Sequence, residues 1–120
     1  MSKETGNYGE KLAAKFLRKS GYKIIGRNVS NNLGEIDILA HPPAGGKDVI
    51  VVVEVKTKST KQFGEGFEMV NFYKRQKLLL LAKSLHIKYP KNVIRIDIIS
   101  VDLSSETPEI KHFENAVEDR

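Results

Sequence analysis

The residue pattern predicts an α/β fold in which a mixed sheet is flanked by helices. Three observations carry this expectation. Helical periodicity runs through Glu4–Ser20 and again through Asn71–Tyr89; strand-like segments fill the region between them; a β-branched run, Val93–Asp102, follows the second helix. The 120 residues, 40% hydrophobic and 29% charged, suit one ordered domain spanning 1–120 with a real core.

Each element has a local reason. In Glu4–Ser20, Leu12, Ala13, Phe16 and Leu17 share one face while Lys11, Lys15, Arg18 and Lys19 cluster opposite, and Gly21 stands where a helix-ending glycine belongs. Tyr22–Ile25 reads as a short strand, and Arg27–Asn32, rich in turn formers, as a loop. Leu33–Ala40 alternates as a strand does, and Val49–Lys58 opens with a β-branched run. Between them His41–Asp48 carries two prolines and two glycines and must turn. The polar stretch Ser59–Glu68 is expected to be an exposed, mobile loop. The second helix places Leu78, Leu81, Ala82 and Leu85 on one face, and Pro90 ends it. In Val93–Asp102, Ile94, Ile96, Ile98 and Ser100 share a face, and a last short strand is expected at Glu109–Phe113.

Composition narrows the function. With no cysteine, disulfide frameworks, thiolate zinc sites and thiol catalysis are excluded, and a reducing, cytoplasmic setting is expected. Met1–Thr5 lacks the apolar stretch of a signal peptide. The longest apolar runs, Val49–Val53 and Leu78–Ala82, fall far short of the roughly 20 residues that span a bilayer, so no membrane partner is expected. A net charge of +5 favours polyanionic partners.

The carboxylates of the central hairpin stand out. Strand alternation puts Glu35 and Asp37 on one face with Ile36 and Ile38 opposite; on the next strand Ile50, Val52, Glu54, Lys56 and Lys58 share a face. The first half of that strand is apolar on both faces, as in a covered central strand, and one face then turns polar. If the hairpin closes around Gly45 and Gly46, Asp37 falls opposite Glu54 and Glu35 opposite Lys56. Like charges facing each other destabilise a sheet, but a divalent cation between them reverses the sign. Mg²⁺ or Mn²⁺ held by Asp37, Glu54 and the Val55 carbonyl would polarise a phosphoryl oxygen and acidify a water, and Lys56 would orient that water or neutralise developing charge. An ordinary ion-pair ladder uses the same residue types, and a one-residue slip in register would part the two acids.

The spacing Gly34-Glu35-Ile36-Asp37, a loop, then Glu54-Val55-Lys56 resembles the core of the PD-(D/E)XK nuclease superfamily. More closely, the chain resembles the YraN family of small bacterial predicted nucleases, related to archaeal Holliday junction resolvases. The likeness runs from Gly9-Glu10 to Asn115-Ala116 and takes in Gly21-Tyr22, Arg27-Asn28, Gly34–Ala40, Val53–Lys56, Phe63-Gly64, Val70, Lys74 and His112. It implies a restriction-endonuclease-like αβββαβ core, Asp37 and Glu54 as metal-binding carboxylates, Lys56 as catalytic lysine, and Glu10 as an acid completing the site. Glu10 falls at the edge of its helix's apolar face, which suits that role, although a solvated helix carboxylate would look the same. Ser30 departs from a position where the family often has a basic residue, and Val117 from a usual phenylalanine.

Lys58, Lys61, Lys74, Arg75 and Lys77 surround the site in sequence and are candidate phosphate contacts. Phe63, Phe67, Phe72 and Tyr73 are read as core or dimer contacts ahead of base stacking. His41, His86 and His112 show no ligand spacing, and His112 is expected to make a structural hydrogen bond. The expected function is a Mg²⁺- or Mn²⁺-dependent endonuclease hydrolysing phosphodiester bonds in structured or branched nucleic acid, DNA ahead of RNA. A homodimer would supply two sites to a junction. The alternative is a non-catalytic nucleic-acid-binding module of the same fold.

Overall fold

The computed structural model describes residues 3–59 and 71–118. In chain order the elements are α1 (Lys3–Lys19), β1 (Lys23–Asn31), β2 (Gly34–His41), β3 (Val49–Lys58), α2 (Phe72–Lys88), β4 (Val93–Asp102) and β5 (Glu109–Phe113), with a 3-10 turn at Gly46–Asp48 before β3. The strands form one mixed sheet in the order β1-β2-β3-β4-β5. Among the described strands only β3 and β4 run parallel, and α2 supplies the crossover that a parallel pair needs. This α/β arrangement is compatible with a restriction-endonuclease-like core.

The helices end and begin as their residues dictate. Gly21, at φ 91°, takes the left-handed conformation that lets the Tyr22 N–H reach the Leu17 carbonyl and the Gly21 N–H reach Arg18. At α2 the Asn71 side chain caps the Lys74 N–H at 3.0 Å. Helix α1 buries Ala13, Ala14 and Leu17 against Ile38, Ala40, Val51, Val53, Ile99 and Val101 on one side of the sheet. Helix α2 buries Leu78, Leu81, Ala82 and Leu85 against Leu39, Ile50, Val52, Ile96 and Ile98 on the other. The central strand is therefore covered twice, and its residues 50–53 are wholly buried. Each such side chain contributes about 1.5–3 kcal/mol of transfer free energy. Val117 packs into the α2-side core, a packing role only.

Two expectations fail here. Residues 27–31 are strand and not loop: Arg27 pairs with Ile38, Val29 with Ile36, Ser30 with Glu35 and Asn31 with Gly34. Hydrogen bonding to β2 overrides the turn propensity of these residues. A bulge between Ile24 and Gly26 and a left-handed Asn28 at φ 51° absorb the misfit, which an edge strand tolerates. The second concerns alternation along β2. Ile36 and Ile38 are expected on one face, yet Ile38 joins the α1-side core and Ile36 the α2-side core, so the strand rolls over at Asp37.

One buried polar cluster has no counterpart in the sequence reading. Asp97 on β4 is fully buried, and its carboxylate accepts from Arg95 Nε (2.9 Å), Arg95 Nη2 (2.8 Å) and the Asn115 N–H (2.9 Å), and pairs with His112 Nε2 (2.7 Å). Burial works against its charge, but the partners outweigh burial and hold the carboxyl below its usual range. The His112 ring packs against Phe16 and Tyr22, so this histidine makes the structural hydrogen bond expected of it. The cluster pins β5 and the following turn to the sheet.

Candidate functional site

The site begins where the sheet splits. Between β2 and β3 the register is Ile38 to Val53, Leu39 to Val52 and Ala40 to Val51, the one expected from closure around Gly45 and Gly46. There the ladder stops, while β3 continues beside β4 as far as Lys58 and Asp102. At the fork a side chain replaces the missing strand partner: Asp37 Oδ2 accepts the Val55 N–H at 2.8 Å. In an extended strand a residue's N–H and C=O point to the same side. The Val55 carbonyl therefore faces the same gap as Asp37.

Asp37 and Glu54 meet across this gap. The Asp37 carboxyl is pushed up to about 7, first by burial and then by the charge of Glu54, with which it also shares a hydrogen bond; the Val55 N–H and Lys74 pull the other way. Glu54 is only 6% exposed, and Lys74 Nζ lies 3.1 Å from its Oε2. Lys74, expected on phosphate, thus sits on a site carboxylate. A buried and a half-buried carboxyl group side by side, next to a backbone carbonyl, make an all-oxygen donor set. That chemistry suits Mg²⁺ or Mn²⁺ and not a thiophilic metal. Among the described residues no three His, Cys, Asp or Glu side chains gather at ligand spacing, so the donor set is the pair plus the carbonyl.

Glu10 enters from the α1 side. A Cβ on Gly9 would overlap the Thr57 hydroxyl, so glycine is what allows α1 to rest directly on the end of β3. The next residue, Glu10, accepts from Asn28 Nδ2 at 2.9 Å, and the same amide reaches Glu35 Oε1 at 3.2 Å. Burial chiefly raises the Glu10 carboxyl, and the Asp37 charge adds to the rise. Glu10 is thus a neighbour of Asp37, one residue layer out. Asn28 is the functional candidate that sequence reading missed. Its left-handed backbone on an edge strand, level with Asp37 between the Arg27 and Val29 pairs, aims the amide at both acids.

The remaining residues fall out as follows. Glu35 pairs with Ser30 on β1 and does not face Lys56, because β2 has already left β3 at that level. Lys56 is half-buried on the Glu54 face of β3 and, among the described residues, makes no hydrogen bond or ion pair. Lys58 lies across from Asp102. Lys77 lays its stem over Gly34 at the start of β2, and Arg75 is half-buried on the first turns of α2. Phe72 and Tyr73 are 67% and 82% exposed and are not core residues. Lys61, Phe63 and Phe67 lie outside the described residues.

Sequence comparison adds a relationship. The family model of the uncharacterised protein family UPF0102 matches residues 9–101. The chain is 40% identical over 117 residues to a UPF0102 protein of Clostridioides difficile, covering 96% of this chain and 97% of the relative. It is 39% identical over 120 residues to one of Caldanaerobacter subterraneus subsp. tengcongensis, covering 95% and 94%. A third, from Desulforamulus reducens, is 38% identical over 120 residues, covering 96% of each chain.

Proposed function

The chain belongs to the uncharacterised protein family UPF0102, the YraN family, and on that footing we propose that it is a Mg²⁺- or Mn²⁺-dependent endonuclease that hydrolyses phosphodiester bonds in structured or branched nucleic acid, DNA ahead of RNA. One observation carries the reading: half-buried Asp37 and buried Glu54 meet at a fork in the sheet, with the Val55 carbonyl turned to the same gap. A fold seldom sets two carboxyl groups side by side where a strand ladder ends for structural reasons alone. Catalytic sites do.

Asp37, Glu54 and the Val55 carbonyl would hold the ion. When bound, it supplies Lewis acidity to the phosphoryl group and to a water. The protein's own groups do the rest. The Val55 N–H holds one oxygen of the Asp37 carboxylate at 2.8 Å and so fixes the side chain at the gap. Lys56, on the Glu54 face and unpaired among the described residues, is available to orient a nucleophilic water or to stabilise negative charge on the phosphorane. Glu10, held by Asn28, adds an acid at the outer edge of the gap, where it can accept a proton from water. Arg75 and Lys77 on α2 supply phosphate contacts beside it.

The test is incubation of purified protein with labelled single-stranded, duplex and four-way-junction DNA, and with RNA, in Mg²⁺ or Mn²⁺. Asp37→Ala and Lys56→Ala run alongside. Metal-dependent cutting lost in both variants supports the reading. A second reading, a binding module that does not turn over, draws on the Lys74–Glu54 ion pair, which already neutralises one site carboxylate. Binding without cutting, unchanged in Lys56→Ala, would favour it.

A further inference from the structure

We propose that Phe72 and Tyr73 form a base-stacking platform at the rim of this site, which makes the protein prefer nucleic acid with unpaired, unstacked bases over continuous duplex. The inference rests on the nucleic-acid reading above and names the substrate feature that the site would recognise.

The two rings lie outside the buried core. Leu78, Leu81, Ala82 and Leu85 already supply the buried face of α2, whereas Phe72 and Tyr73 project into solvent at 67% and 82% exposure. Two adjacent exposed aromatics form a contiguous apolar surface, which marks a binding site more often than a scattered apolar residue does. They lie 5.8 Å apart with ring planes at 81°, an edge-to-face pair that steadies both rings before any ligand arrives.

Their position ties them to the fork. The next residue, Lys74, ends 3.1 Å from Glu54. Lys77, one turn after Tyr73 and on the same helix face, crosses Gly34 where β2 begins. Tyr73 therefore stands one helical turn before Lys77, on the face of α2 turned to the start of β2. The Asn71 cap fixes this turn by holding the Lys74 N–H.

The charge around the rings selects the ligand. Helix α2 carries Lys74, Arg75, Lys77, Lys83 and Lys88 and not one acidic residue. Cations beside exposed rings match phosphates beside bases, which is how single-stranded nucleic acid is held without sequence preference. A paired base inside a duplex hides its faces in the stack and cannot use the rings; a base at a fork, a single-stranded tail or a junction centre can.

The test measures binding in EDTA, where cutting is impossible, by fluorescence anisotropy of a labelled single strand, a splayed fork and a blunt duplex. Both rings are exposed, so the Phe72→Ala/Tyr73→Ala variant is expected to keep the wild-type melting temperature. It should lose about tenfold or more in affinity for single strand and fork, with duplex affinity within about twofold. Phe72→Tyr and Tyr73→Phe should bind as wild type. Equal wild-type affinity for all three DNAs, an equal loss on all three, no loss at all, or no wild-type binding would each overturn the proposal. A parallel Mg²⁺ cleavage assay separates the two readings: preference for unpaired DNA without cutting sustains the platform and sinks the endonuclease, and cutting without preference does the reverse.

Discussion

Lys74 Nζ sits 3.1 Å from Glu54 Oε2, so the chain supplies its own cation to the carboxylate pair. A divalent ion at the pair would meet that positive charge. In Lys74→Gln the metal-free protein should melt lower by about 2–5 °C, because a buried acid loses its partner. The rise in melting temperature on adding Mn²⁺ should be larger than in wild type. Thermal melts in EDTA and in Mn²⁺ measure both; an unchanged Mn²⁺ increment would show that Lys74 and the metal do not compete.

Asp37 sets a pH dependence. Its carboxyl is pushed from 3.8 up to about 7 in the folded chain, so between those values the folded state holds a proton that the unfolded state has lost. Metal-free stability should therefore fall as pH rises from about 4 to about 7 and level off above. Urea denaturation in EDTA at pH 5 and pH 8 should show the difference, and Asp37→Asn should flatten it while abolishing cleavage. A profile just as steep in Asp37→Asn would remove the carboxyl pair as its cause.

Gly9 permits the contact that brings Glu10 to the site. Gly9→Ala places a methyl group on the Thr57 hydroxyl and should cost about 1–3 kcal/mol in chemical denaturation, since backbone must move. Thr57→Ala alone should cost less, and the double variant should recover part of the Gly9→Ala loss. Strict additivity would mean that α1 does not depend on this contact.

Asp97 is expected to matter for stability and not for chemistry. Asp97→Ala leaves Arg95 and His112 without their buried partner and should destabilise by about 3–5 kcal/mol. Its depressed folded-state carboxyl contributes stability above pH 4, lost as pH falls further. Below the variant's melting temperature, cleavage by Asp97→Ala should equal wild type. A selective loss of cleavage in soundly folded protein would tie this cluster to the site.

Much of this was legible without coordinates because it depends on local periodicity. The buried face of α2, the doubly covered stretch of β3 and the bounds of β4 and β5 follow from residue spacing alone. The β2–β3 register is the one that closure around Gly45 and Gly46 gives, although the sequence alone leaves a one-residue slip open. What escaped depends on partners distant in sequence. Arg27–Asn31 carry turn-forming side chains, and only the presence of β2 alongside makes them strand. Asp97 becomes a buried centre only because His112 and Asn115, distant in sequence, close over it.

The amino-acid order settles which elements form and which acids and lysines stand near one another along the strands, since spacing of 2 or 3.6 residues dictates the face of each side chain. Only the folded chain decides that β2 rolls over at Asp37, that the ladder opens there, and that Glu10 and Lys74 arrive from opposite faces of the sheet. Those outcomes are set by packing of two helices against one twisted sheet, a balance among distant contacts that no local pattern encodes.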